Sequence, residues 1–278
     1  NIFKEELGKD TDIIPFLDGG EGTVEAMQGL LDGEYHYVNV HNPKNEVITA
    51  RYIIKEKYAV MEMAQSSGLR LLYRDDLDVM NSFFIGIGDT ATNDLGMGML
   101  YALGVRFFDK DGNELNPVAK NMAEVEDIDI SNLDHRILKK YIVIATSSDT
   151  TLFGDNSFLE SRIYRKGASD EDIAFLYKGS KNFKAKIEQT LGIDPVDLPS
   201  LGSGGGVAWA LYTFFKTKIT KSMDLVLEKF NFDQMIKNYD VLILGENVDQ
   251  FDAMSSINVA NVAKSYNENL NIIFLEDR

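Results

Sequence analysis

The chain has 278 residues, 44% hydrophobic and 26% charged, with a net charge of −16 and no cysteine. That is enough apolar material for one large or two medium globular domains, and it excludes disulfides, thiolate zinc sites and a cysteine nucleophile. The negative balance disfavours a nucleic-acid partner, and no run approaches the roughly 18 apolar residues a membrane span requires.

In chain order, residues 11–17 read as a strand, followed by "DGGEGT" and a helical pattern of Val24, Met27 and Leu31 that should stop at Gly33. "YHYVNV", "EVITARYII" and "YAVMEMA" are β-rich runs with short turn-rich links, as in an antiparallel meander. "FFIGIGDTATNDLGMGMLYALG" reads as a strand, a glycine turn and a helix with Leu95, Met99, Ala102 and Leu103 on one face and Gly104 as its stop. "DKDGNEL" reads as a hairpin turn, and "GSGGGVAWALY" is a second glycine loop feeding a helix. "DVLIL", a helix carrying Ile257, Ala260, Val262 and Ala263, and "NIIFL" form a parallel strand–helix–strand pattern. The expected fold class is therefore α/β. A Rossmann-like, doubly wound parallel-sheet domain would be built from both chain ends (residues 1–34 and 222–278), with an inserted mixed α+β domain over 35–221. On this reading the chain opens and closes inside its parallel layer and lacks sheet partners. The absence of cysteines and of a charged-then-apolar opening segment agrees with a cytoplasmic home.

The chemistry-bearing stretches are the glycine turns. Gly86, Gly88, Thr90, Thr92 and Asn93 precede a helix N-terminus, which offers free N–H donors and about half a positive charge to an anion. A cap at Thr92 or Asn93 is the competing structural reading. Asp18 and Glu21 lie among glycines that contribute no packing and could hold Mg²⁺ or orient a hydroxyl, although Thr23 could equally be a helix cap. Ser66 and Ser67 could donate to a carboxylate or phosphate, Ser203 and Gly204 could form an anion nest, and Lys166 has the charge to meet a phosphate. "GIGDTA" is also a G-x-G-x-x-A pattern, with Asp109 placed 21 residues past Gly88, near the roughly 20 of a dinucleotide-binding acid. An oxidoreductase thus remains an alternative. A non-catalytic binding protein is another.

Taken in order, "IPFLDGGEGTVEAM", "EMAQSSGLRLL", "GIGDTATNDLGMGMLYALG", "KGAS", "LGSGGGVAWAL" and "DVLILGENVD" resemble the successive motifs of the bacterial glycerate kinase family, the non-P-loop type. The resemblance runs from about Ile13 to Ala263. It implies phosphorylation of D-glycerate with ATP and Mg²⁺ by a Rossmann-like domain with an inserted second domain, and it leaves a homodimer open. Asp18 and Glu21 would then hold the metal, with Asp18 also catalytic. The Gly86–Asn93 turn, Ser203, Gly204 and Glu246 would meet the nucleotide. Gly19, Gly20, Thr23, Ser66 and Ser67 would meet the substrate, Lys166 the transferred charge, and Asp94 the hydroxyl proton. The chain departs from the family pattern at "ATSSDTTLFG", where Ser147 takes an aspartate's place unless Asp149 substitutes, and at "GENVD", which keeps Glu246 but lacks an arginine. These departures are compatible with a diverged, inactive member of the fold.

Overall fold

The computed structural model describes residues 8, 11–15, 19–20, 22–41, 47–56, 58–64, 82–88, 90, 92–161, 163, 168–246 and 254–276. The protein is a mixed α/β molecule that divides into two compact units, Asp18–Ser222 and the pairing of Asn1–Leu17 with Met223–Arg278.

The larger unit begins with helix α1 (Thr23–Leu31), which ends on Asp32 in the left-handed conformation (φ 52°), with the Asp32 N–H donating to Gln28 O. Gly33, the expected stop, instead lies beneath the Ile54 carbonyl, 3.2 Å from where a Cβ would stand. Strands β1 (Glu34–His41), β2 (Val47–Lys55) and β3 (Tyr58–Glu62) form the antiparallel meander that their short turn-rich links anticipate. Next come β4 (Ser82–Gly86), helix α2 (Met97–Ala102), a side pair of β5 (Arg106–Phe108) and β6 (Asp127–Asp129), and β7 (Tyr141–Thr146). Helices α3 (Asp170–Leu191) and α4 (Val207–Phe215) precede β8 (Lys218–Lys221). The main sheet runs β1-β2-β3-β4-β7-β8, and its last four strands are parallel. A parallel layer therefore lies within the region expected to be an α+β insertion. Residues 18–34 also group with this unit and not with the chain ends, because α1 packs on β2 and β3.

The pattern of β7 explains the parallel pairing: "IVIAT" is buried without interruption, which requires cover on both faces. Helix α4 is apolar all round for the same reason. Val207, Ala208 and Leu211 pack on Ile87 and Ile144, while Trp209 and Ala210 join a second core with Leu100, Phe107, Met122 and Phe183. Among the described residues, no helix is long and apolar enough to cross a membrane.

Helix α3 opens with a reciprocal cap. The Asp172 N–H donates to Ser169 Oγ (3.2 Å), and the Ser169 N–H donates to Asp172 Oδ2 (2.9 Å). The Ser169 hydroxyl, then its backbone N–H, holds the Asp172 carboxyl below its ordinary value. A depressed carboxyl stabilises the folded state above its ordinary pKa of about 4, and that contribution is lost as pH falls through the lower range. Amide protection factors in the first turn of α3 should accordingly be lower at acid than at neutral pH, and Asp172→Asn should flatten the difference.

In the smaller unit, α5 (Ser222–Lys229) starts at the boundary, and β9 (Val241–Glu246), α6 (Met254–Tyr266) and β10 (Asn271–Glu276) form a parallel strand–helix–strand element. The buried stripe of α6 is Ser256, Val259, Ala260 and Ala263, whereas Ile257 and Val262, expected on that face, are exposed. Residues 11–15 are irregular, and the remainder of the strand expected over 11–17 lies outside the described residues.

Candidate functional site

Strands β3, β4, β7 and β8 end side by side at Glu62, Gly86, Thr146 and Lys221, and ligands of open parallel sheets bind beyond such carboxyl ends. Glu62 is only 3% exposed. Its carboxylate accepts the Val24 N–H (2.7 Å) and the Gly22 N–H (3.4 Å), so it caps α1 and ties the end of "DGGEGT" to β3. Thr23 is not the cap. That position is Gly22, and the buried Thr23 hydroxyl has no partner among the described residues.

Gly19 and Gly20 lie directly across the ends of β4 and β7. A Cβ on Gly19 would stand 2.6 Å from Ala145 O, one on Gly86 2.7 Å from Gly19 O, and one on Gly88 2.7 Å from Gly20 N. The two glycine motifs thus pack backbone on backbone. Glu62→Ala should lower unfolding free energy by about 1–3 kcal/mol, the cost of leaving buried donors unmet, as read by urea denaturation.

The second glycine loop joins the same layer. Thr92 Oγ1 donates to Gly204 O (2.9 Å) and the Leu95 N–H to Gly205 O (3.0 Å). A Cβ on Gly204 would meet Ile87 Cγ2 at 2.7 Å, with Thr90 alongside, and one on Gly205 would meet Thr92 O at 1.9 Å and Asn93 Cα at 2.7 Å. "GIGDTATND" and "GSGGG", distant in sequence, therefore form one body. The N-terminus of α2, expected as a phosphate cradle, has two of its N–H groups engaged within the protein. Helix α2 has six residues, and its Gly96 and Gly98 N–H groups already donate to the Asp94 carboxylate (3.1 and 2.9 Å). The carboxylate of Asp94, expected as a proton acceptor, thus accepts N–H groups at the start of that helix, whose N-cap position is Gly96.

Sequence reasoning missed part of this edge. Thr146 Oγ1 and Ser203 Oγ share a buried hydrogen bond (2.9 Å), Ser148 and Thr150 share another (2.9 Å), and the Ser148 N–H donates to Thr146 Oγ1 (3.1 Å). Asp197 binds the Leu152 and Phe153 N–H groups (2.8 and 3.0 Å), and the Gly202 N–H donates to Thr150 O (2.8 Å), locking the two loops together. The hydroxyl-rich "TSSDTT" directly after an apolar strand was the available signal. Lys221 had none. Its ammonium donates to Ser148 O (3.2 Å) and Ser200 Oγ (3.4 Å) and pairs with Asp149, while Ser147 is half-buried.

Asp18, Glu21, Ser66, Ser67 and Lys166 lie outside the described residues, as does the side chain of Glu246, the last residue of β9. No group of three His, Asp or Glu side chains that could hold a metal occurs among the described residues. Gly19 and Gly20, which lie between Asp18 and Glu21 in sequence, are themselves at the ends of β4 and β7. Asp109 accepts the Asp111 and Asn113 N–H groups (2.9 and 2.8 Å) in the expected hairpin turn, and the Asn113 side chain, its largest influence, holds its carboxyl below the ordinary range. A carboxylate spent on its own turn is not a ribose ligand, which removes the support for a dinucleotide site.

Residues 2–275 match the model of the glycerate kinase family. The glycerate 2-kinase of Escherichia coli K12 is 34% identical over 92% of this chain and 73% of its own length. The glycerate kinase of Halalkalibacterium halodurans is 33% identical over 91% and 73%. A crystal structure from Salmonella typhimurium LT2, assigned as glycerate kinase 2, superposes with a TM-score of 0.78 at 30% identity, covering 99% of this chain and 79% of that one.

Proposed function

Because the chain belongs to the glycerate kinase family, we propose that it transfers the terminal phosphoryl group of ATP to a hydroxyl of D-glycerate. The family match over nearly the whole chain carries this reading. The convergence of three glycine segments on the parallel strand ends supports it physically. In the reaction the glycerate hydroxyl oxygen bonds to the γ-phosphorus, the bond from that phosphorus to the ADP oxygen breaks, and the hydroxyl proton is released. Such transfers depend mainly on positioning and on charge stabilisation.

Asp18 and Glu21 would hold Mg²⁺, which when bound neutralises phosphate charge. Gly19 and Gly20 would bring backbone close to the substrate, Ser66 and Ser67 would bind its carboxylate, and Lys166 would face the transferred group. The segment from Thr90 to Asn93 would face the nucleotide. Asp94 is a positioning residue in this scheme, since its carboxylate fixes the turn from which α2 starts.

A coupled assay of ADP release tests the proposal: release should require D-glycerate, and NAD(H) should give no thermal stabilisation. Phosphorus NMR of the product should show 2-phosphoglycerate, by analogy with the Escherichia coli relative. Absence of D-glycerate-dependent release, with binding of the same ligands retained, would favour the diverged, inactive reading that Ser147 motivates.

A further inference from the structure

The hydroxyl-rich edge of β7 and β8 contains a cation whose arrangement stability does not explain. Register places Lys221 opposite Thr146 at the carboxyl ends of these two parallel strands. Its ammonium donates to Ser148 O (3.2 Å) and Ser200 Oγ (3.4 Å) and pairs with Asp149, to which the Ser200 hydroxyl also reaches (3.5 Å). The side chains of Lys221 and Asp149 are 36% and 61% exposed, a range in which an ion pair contributes little to folding.

The residue that steadies the pair is itself strained. Ser200 is 4% exposed and adopts φ +75° without being glycine, in a loop that has glycine at 202, 204, 205 and 206. A non-glycine residue persists in that region only where the surrounding structure holds it there. The hydroxyl of Ser200 is spent on Lys221 and Asp149. On a molecule of net charge −16, an anionic ligand must find a local cation, and the carboxyl ends of parallel strands are where it would approach.

We propose that Lys221 is an anion-binding residue of the candidate site, steadied by Ser200 and Ser148 O, and that the Asp149 carboxylate occupies the place a phosphate or carboxylate oxygen of the ligand takes. The proposal rests on the kinase reading only for the identity of the ligand. Phosphate of the nucleotide and carboxylate of the hydroxy acid present the same chemistry to an ammonium, so both are assayed.

Calorimetric titration of the full-length protein with ADP and, separately, with D-glycerate tests it on the wild type, Lys221→Met, Lys221→Arg and Ser200→Gly. Lys221→Met should weaken one ligand by about tenfold or more, the effect of one lost charge-assisted hydrogen bond, and leave the other within about twofold. The weakened ligand identifies the source of the anion. Lys221→Arg should restore part of the affinity. Ser200→Gly should keep or raise the melting temperature yet weaken the same ligand, a combination that a merely structural serine would not give. Should Lys221→Met fail to fold, Lys221→Arg and Ser200→Gly carry the same comparison. Both ligands binding Lys221→Met as tightly as wild type would overturn the inference even if the wild type turns over D-glycerate. Lysine-dependent binding without any turnover would uphold it and reject the kinase reading. A wild type that binds neither ligand rejects both.

Discussion

Gly205→Ala is expected to lower the unfolding free energy by about 2–4 kcal/mol, combining the left-handed strain of a non-glycine residue with the cost of overpacking. Gly205 sits at φ +62°, and its Cβ would fall 1.9 Å from Thr92 O, a backbone atom that cannot rotate away. Relief requires the Thr92–Asn93 segment to retreat from the second glycine loop, pulling on the Leu95 N–H bond to Gly205 O. Gly112→Ala is the matched control. It has φ +79° and open space around it, so it should show only the strain component, about 1–2 kcal/mol. Urea denaturation of the two variants separates the terms by subtraction. Equal losses would mean that the two loops are not in contact.

Asp18→Asn is expected to reduce turnover of D-glycerate roughly tenfold to a hundredfold, the scale of a disturbed metal site, with the urea midpoint little changed. The substitution keeps the size of the side chain and removes the charge that would hold Mg²⁺. The loss should diminish at high Mg²⁺ if binding of the ion is what has weakened. An unchanged rate would remove Asp18 from the catalytic set.

The sequence made legible whatever depends on local pattern. The β-rich runs "YHYVNV" and "EVITARYII" and their short links announced the antiparallel strands, and the glycine stretches announced the turns that meet at the strand ends. Sheet order was not legible, because β4, β7 and β8 are brought together by long-range pairing, and their apolar runs look alike whichever neighbours they take. Glycine was read as backbone freed for a ligand, whereas at Gly86, Gly88 and Gly204 it makes room for other parts of the protein. Asp94 was read for its charge, and only the folded turn shows that its carboxylate accepts the Gly96 and Gly98 N–H groups. Lys221 acquires its meaning from Ser148, Asp149 and Ser200, none of them near it in the chain.

The composition of the main sheet has a kinetic consequence. Strands β1, β2 and β3 pair with neighbours along the chain through short connections, so their loop-closure cost is small. Pairing of β4 with β7 must wait until α2, β5 and β6 have been gathered between them, and pairing of β7 with β8 until α3 and α4 have docked. Long-range parallel pairing is intrinsically slow. In pulse-labelling during refolding, amides of Ile48–Ile54 should become protected before those of Ile142–Ala145, so the edge that carries the candidate site is completed last. Whatever binds there meets the protein only at the end of its folding, and a ligand added during refolding should raise the final yield without quickening the first phase.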